Sequence, residues 1–456
     1  MKERETLASR LGFILLSAGC AVGLGNVWRF PYITGQYGGA VFVLIYLLCL
    51  ALIGLPVMVM EFSIGRASKR NISDALKILE PKGKKWHWFG PIAIAGNYLL
   101  MMFYTVITGW LLYYFFSSLL GRFQGLDAEG AKIAFATLQS NVPVQIIFMV
   151  ISVVIGFLIC MGGLQNGVER ASKIMMLGLL CIMLLLVLNS SFLENAGEGF
   201  RFYLVPDFER AKEAGLSEII FAAMSQAFFT LSIGMGGMEI FGSYIGKDQS
   251  LTGEALRIII LDTSVALMAG LIIFPACFSF GVNPDSGPNL LFVTLPNIFS
   301  SMSGGRIWGS LFFLFMAFAA MTTLIAVFEN IIAYWMDSHG WSRRKAALIN
   351  MVVIALLALP CILGYNVFSS FQPLGDGTSV LDLEDFLISS TIMPIGSLLF
   401  VLFCSHKSGW GWKNFIAEAD EGDGVKFPSW LRFYVKWILP IVVAIIFIKG
   451  YWDIFS

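Results

Sequence analysis

Charge is scarce in this chain: only 13% of its 456 residues are Asp, Glu, Lys or Arg, about half the share of a water-soluble domain. Basic and acidic residues balance at 30 each, so the formal net charge is zero and nothing marks a nucleic-acid partner. Histidine is nearly missing. Its three residues, at 87, 339 and 406, are too few and too scattered for haem or a metal cluster. The seven cysteines (20, 49, 160, 181, 277, 361 and 404) include no CxxC pair and lie in or beside apolar stretches. That excludes a disulfide framework and a zinc site, and leaves each as a small hydrophobe.

What is present is apolar bulk. Hydrophobic residues make up 57% of the chain, with 40 Phe, 12 Trp and 46 Gly, and the mean hydropathy is +0.78. Glycine is more frequent in membrane helices than in soluble ones. This is the composition of an integral membrane protein. The opening MKERETLASRLGF is charged and runs into a long apolar stretch without a cleavage pattern, which predicts a retained first helix rather than a signal peptide.

A hydrocarbon core about 30 Å thick needs about 20 residues of apolar helix. By that measure the sequence predicts eleven spans, at roughly 11–36, 39–65, 88–120, 143–162, 168–190, 217–244, 252–281, 306–335, 344–363, 383–404 and 431–453. The predicted fold class is therefore an all-α membrane protein of eleven transmembrane helices, a single domain over 1–456. With the N-terminus inside, 21 Lys and Arg fall on the inner side and 7 on the outer, the bias expected of a cytoplasmic face. The expected location is the inner cell membrane, multi-pass, with a cytoplasmic N-terminus and, after eleven spans, an extracytoplasmic C-terminus.

Two spans are interrupted at corresponding places. Span 1 carries Gly19-Cys20-Ala21-Val22-Gly23-Leu24-Gly25-Asn26 about halfway across, and span 6 carries Ser232-Ile233-Gly234-Met235-Gly236-Gly237. Each glycine weakens a helix by about 1 kcal/mol, so both runs invite local unwinding. They also suit close helix packing of the GxxxG kind. Their matched position in two five-span halves, 1–190 and 217–404 with 431–453 as an extra helix, favours a transporter binding site at the breaks.

Irregular backbone survives at membrane depth only where it lines a cavity or is paired. A half-helix starting near Gly25 offers N–H groups to a carboxylate, while carbonyls ending the other half attract a small cation. Asn26, Thr230, Ser232, Asp262, Thr322 and Thr323 supply hard oxygen donors suited to an alkali ion. The threonine pair alone is equally read as an interhelical hydrogen bond. Asp262, some ten residues into span 7, is costly unless neutralised and so predicts a function, with snorkelling to the cytoplasmic edge as the alternative. Arg29 with Asp385 on the outer side, and Arg4 with Asp337 on the inner side, are candidate gates, because surface pairs worth under about 1 kcal/mol are easily made and broken.

The first-span run Arg10-Leu11-Gly12, then Ala18 through Pro31, resembles the first helix of the neurotransmitter:sodium symporter family. Gln226 through Gly236 resembles its sixth helix, and Ser243-Tyr244-Ile245-Gly246-Lys247-Asp248-Gln249 continues the likeness. The bacterial leucine transporter of this family is itself the usual example of broken-helix inverted repeats, so the two arguments are not independent. The resemblance implies two co-transported sodium ions. The first would be held by the Ala21 carbonyl, Asn26, Thr230, Asp262 and the substrate carboxylate. The second would be held by carbonyls of Gly19, Val22 and Ala319 with the hydroxyls of Thr322 and Thr323. The resemblance further implies that the substrate carboxylate meets Leu24, Gly25 and Tyr104, and its amine Ala21, Phe229 and Thr230 with Ser232 nearby. Its side chain would face Leu100, Phe229, Ser232, Met235, Thr323 and Val327, under a lid of Tyr104 and Phe229.

Departures from the family pattern narrow the expectation. Monoamine carriers place Asp where this chain has Cys20, so a ligand that brings its own carboxylate is favoured. Asp262 stands where chloride-dependent members have Asn, so a fixed carboxylate can replace chloride. Met235 takes a position often held by Phe, and Met adapts to irregular shapes. Leu177 lies where many members carry Pro, ten residues after Gly167, and a twelfth helix is not found. The sequence thus predicts sodium-coupled import of hydrophobic and aromatic L-amino acids without chloride, by a bacterial type of transporter and not an enzyme. A transporter-like membrane sensor of amino acids is the alternative. No span carries HExxH, GxSxG with a partner His, or paired catalytic Asp for an intramembrane enzyme, nor the filter or charged rings of a channel.

Overall fold

The computed structural model describes residues 5–282 and 290–455, and among these no β-strand occurs beyond an isolated bridge at Gln249 and Asp423. The helices reproduce the predicted spans to within four residues at each end. They run Arg10–Ala21 with Gly25–Gln36, Ala40–Ser68, Trp86–Leu119, Val142–Met161, Leu164–Ser191, Leu216–Thr230 with Gly237–Gly242, Leu251–Ser279, Gly305–His339, Arg343–Leu363, Val380–Ser405 and Ser429–Trp452. Among the described residues nine are long and apolar enough to cross a membrane, and the first pair, bent by 56°, makes a tenth. Span 6 falls short of that measure only because its first piece, Leu216–Thr230, has 15 residues before the chain unwinds over 231–236.

Burial ranks the helices. The apolar stretch of span 8 is 83% buried by protein, whereas those of spans 5 and 11 are 33% and 28% buried and turn their other faces to lipid. Span 8 is therefore the axis, packed on spans 1, 3, 4, 5 and 9. Both broken spans lie against this centre, and both breaks have a local cause. In span 6, Gly234 has φ +101°, and a Cβ there would stand 2.2 Å from the Met393 carbonyl oxygen of span 10. Only glycine tolerates that conformation at that approach. Ser232, at φ +50°, is forced into the same turn. In span 1 the helix ends at Ala21 because Val22 takes an extended ψ of 99°, and a π-helical turn restarts the helix at Gly25–Arg29.

Short surface helices that the hydropathy reading does not contain lie between the spans: Ile72–Leu79, Ala128–Ser140, Ala196–Leu204, Phe208–Ala214 and Trp412–Ala419. Their start signals are readable in retrospect. Asn71, Asp127 and Asp207 cap three of them by accepting backbone N–H bonds.

Candidate functional site

The last turn of Arg10–Ala21 leaves its final carbonyls without intrahelical partners. The Thr323 hydroxyl of span 8 points among them, 3.3 Å from each of the Gly19, Cys20 and Val22 carbonyl oxygens and 3.4 Å from that of Ala319. A hydroxyl has one hydrogen to donate, so it serves one of these four acceptors at a time. The remaining lone pairs converge on a water-poor spot, an arrangement that suits a small hard cation. Thr322 is also buried and donates to Ala319 in its own helix at 2.9 Å. The five residues expected at the second sodium site are thus brought together. The Cys20 carbonyl, which the sequence reading left out, joins them.

A second cluster lies across the break. Asp262 is fully buried and does not snorkel. Its carboxylate accepts from Asn26 Nδ2 at 2.8 Å and from Thr230 Oγ1 at 3.1 Å. Asn26 Oδ1 in turn accepts from the Gly23 N–H at 3.1 Å, which ties the cluster to the unwound turn. Both donors are neutral, and among the described residues no Lys or Arg pairs with Asp262. A buried carboxylate without a counter-charge is disfavoured by several kcal/mol, so the cluster calls for a cation. Nowhere among the described residues do three His, Cys, Asp or Glu side chains converge as metal ligands. One carboxylate among neutral oxygens is alkali-ion chemistry.

Between the clusters is a cavity lined by Ala21, Gly23, Leu24, Gly25, Leu100, Tyr104, Phe229, Ser232, Met235, Thr323, Ile388 and Met393. Nine of the eleven expected substrate residues are in this lining. Thr230 is not, because its hydroxyl turns to Asp262, and Val327 is buried one turn beyond Thr323 outside the lining. The polar end is the break of span 1. The Leu24 N–H points to the Tyr104 hydroxyl at 3.4 Å, and Ser232 donates to the Cys20 carbonyl at 3.3 Å. The rest of the wall is apolar. Ile388 and Met393 were not foreseen, and they reach the cavity because span 10 makes a π-helical turn over Leu387–Ile392.

Phe229 covers the cavity beside Gly25, and the Arg29 guanidinium sits over its ring at 4.6 Å. Arg29 also donates to Ser225 at 3.1 Å, while its buried Nη1 has no partner. Asp385 accepts from Ser389 at 2.7 Å and makes no ion pair with Arg29 within 4.0 Å. The two charges are still near enough to attract each other through space, and the direct contact Arg29 makes in this conformation is the cation–π one, worth about 0.5–2 kcal/mol.

On the opposite side Arg4 lies outside the described residues. Asp337 accepts from the Asn71 N–H at 3.0 Å and lies 4.0 Å from Arg70. The described part of the N-terminal segment is held by other acids. Arg10 pairs with buried Glu254 at 2.7 Å, the Ala8 N–H and Ser9 hydroxyl donate to Glu169, and Glu5 pairs with Arg343. Arg343 is fixed by buried Glu329 at 2.6 Å, which also accepts from Tyr244 at 2.9 Å. Asp337→Ala is expected to loosen this side modestly, by about 1 kcal/mol or less. Labelling of an engineered cysteine on the inner pathway checks it, and equal accessibility in the wild type would refute it.

Glu61, in the last third of span 2, was also missed. It is fully buried and accepts the Gly234 N–H at 2.5 Å, so it holds the unwound turn of span 6 from behind.

The profile of the sodium:neurotransmitter symporter family matches residues 4–125 and 136–454. An uncharacterized sodium-dependent transporter of Bacillus subtilis, YhdH, is 36% identical over 98% of both chains, and one of Haemophilus influenzae is 32% identical over 98% of both. The sodium-dependent serotonin transporter of Drosophila melanogaster is 27% identical over 83% of this chain and 68% of its own length. The solved structure of MhsT in complex with L-phenylalanine superposes with a TM-score of 0.87 and 38% identity, over 98% of this chain and 100% of that one.

Proposed function

The chain belongs to the sodium:neurotransmitter symporter family, and from that premise we propose that it imports hydrophobic L-amino acids, aromatic as well as aliphatic, with two sodium ions per substrate and without chloride. One observation carries the substrate class: a cavity whose polar groups, the broken backbone at Leu24 and Gly25 with the hydroxyls of Tyr104, Ser232 and Thr323, lie towards span 1, and whose other wall is Leu100, Phe229, Met235, Ile388 and Met393. The N–H end takes the carboxylate, and the apolar wall takes the side chain. MhsT binding phenylalanine supports the same class.

In this reading Asn26, Thr230 and Asp262 hold the first sodium with the Ala21 carbonyl and the substrate carboxylate. The second sits among the carbonyls of Gly19, Val22 and Ala319 and the hydroxyls of Thr322 and Thr323. Each ion bridges the break in span 1 to another helix, to spans 6 and 7 or to span 8. Sodium binding thus closes the cavity wall and raises the affinity for substrate. The halves 1–190 and 217–404 move against each other by alternating access, with span 11 outside both. The cytoplasmic side is the one bearing Asp337 and the N-terminal straps, which leaves the C-terminus extracytoplasmic.

Uptake of labelled L-phenylalanine into proteoliposomes under an inward sodium gradient tests this directly. Accumulation above equilibrium is expected. Sodium-dependent binding without flux would instead make the protein a sensor on a transporter scaffold.

Met235 sets the breadth of the pocket. Met235→Phe adds a rigid ring beside the substrate side chain, and overpacking costs about 1–3 kcal/mol. Affinity for tryptophan relative to leucine is expected to fall by about 5- to 150-fold. An unchanged ratio in competition binding would place Met235 outside the pocket.

A further inference from the structure

The cytoplasmic ends of spans 3 and 10 part to leave an apolar groove that opens to the bilayer, lined by Lys85, Trp86, Trp88, Phe89, Ile92, Ile395 and Leu399. Phe89 of its lining packs edge-on against Phe400 at 5.8 Å, and the groove shares no lining residue with the substrate cavity. Trp88 and Ile92, 63% and 52% exposed, form its outer lip.

The mouth of the groove is basic. Residues 81–88 carry Lys82, Lys84 and Lys85 and no acid, and all three lysines are exposed. Residues 405–413 carry Lys407 and Lys413 and no acid. The two segments are joined where Trp86 Nε1 donates to the Ser408 carbonyl at 2.7 Å. The nearest carboxylate in sequence, Glu80, is engaged by His87 Nδ1 at 2.6 Å. Lys85 is drawn to the groove itself, its ammonium 4.7 Å from the Trp88 ring centroid.

We propose that this groove is a binding site for an anionic phospholipid of the inner leaflet, with one acyl chain along Trp88, Ile92, Ile395 and Leu399 and the headgroup phosphate at Lys84 and Lys85. Basic pockets between transmembrane helices on the cytoplasmic side take anionic headgroups, and a Trp at the interface has one apolar face and one polar edge to offer them. The site depends on the membrane orientation proposed above but not on what the protein transports.

Native mass spectrometry of the full-length protein, released from equimolar phosphatidylglycerol and phosphatidylcholine, tests it. The wild type is expected to retain phosphatidylglycerol in preference. Lys84→Gln with Lys85→Gln should lower that preference by roughly five- to thirty-fold, from the loss of two charges near the membrane surface. Leu399→Trp, which fills the groove, should lower retention of both lipids. A second measurement needs only exposed positions: brominated-chain phosphatidylglycerol should quench tryptophan fluorescence more than its phosphatidylcholine counterpart, and Trp88→Phe should reduce the difference, leaving the share that Trp86 contributes. Equal retention of the two lipids, or a preference that survives the double lysine change, overturns the proposal. So does a groove protected from brominated lipid by a second copy of the chain.

Discussion

Asp262→Asn is expected to lower sodium-driven uptake at least about a hundredfold in chloride-free buffer, with part of the loss recovered when chloride is added. In the proposed cycle, two sodium ions and a zwitterionic substrate would bring two net positive charges into a site closed to water, where uncompensated charge costs several kcal/mol. Asp262 supplies one fixed negative charge at that depth, held in place by Asn26 and Thr230 at 2.8 and 3.1 Å. The asparagine variant keeps the shape and removes the charge, so a mobile anion has a reason to bind. Wild-type uptake should be the same in gluconate as in chloride. Collapse of wild-type activity in gluconate would show that Asp262 is not the substitute anion.

Gly23→Ala is expected to weaken sodium and substrate binding together, each by about 5- to 150-fold. A Cβ at Gly23 would lie 2.7 Å from the Tyr104 hydroxyl and 2.8 Å from the Thr323 hydroxyl. In the proposed assignment those two groups serve different ligands: Tyr104 faces the N–H end of the cavity, and Thr323 stands among the carbonyls proposed for the second sodium. Overpacking at about 1–3 kcal/mol displaces both at once. Equilibrium binding of labelled phenylalanine across a sodium titration separates the outcomes. Loss of substrate affinity with an unchanged sodium midpoint would mean that Thr323 is not a sodium ligand.

The spans were legible in the sequence because each needs a long apolar run, and the lipid thickness fixes its length. The two breaks were legible because glycine is the residue that unwinding and close approach require, as Gly234 against the Met393 carbonyl demonstrates. Asp262 was found by the cost of a carboxylate at depth. The same rule should have singled out Glu61 and Glu329, which sit within spans 2 and 8 and are fully buried. Glu61 is held to the Gly234 N–H, far away in the chain, and Glu329 to Arg343 at the start of the next span.

Ile388 and Met393 had no such signal. Both are ordinary apolar residues in a span that has many, and the π-helical turn over Leu387–Ile392 shifts which of them face the cavity, a register that hydropathy does not encode. At the outer gate, side-of-membrane reasoning found two charges that attract each other, Arg29 and Asp385, but not the ring 4.6 Å from Arg29 or the Ser389 hydroxyl on Asp385, which depend on local packing. The surface helices went unread for a different reason. They are short and amphipathic, and they announce themselves only through caps such as Asn71 and Asp127.

Coupling between sodium and the apolar cavity is tested most directly by binding of L-phenylalanine to the purified protein in sodium chloride and in choline chloride at equal ionic strength. The two cation clusters flank the cavity on either side of the span 1 break, so binding should be tight in sodium and fall by at least about a hundredfold in choline, for the loss of two ion–substrate couplings of about 1–3 kcal/mol each. Equal affinity in the two salts would contradict the account.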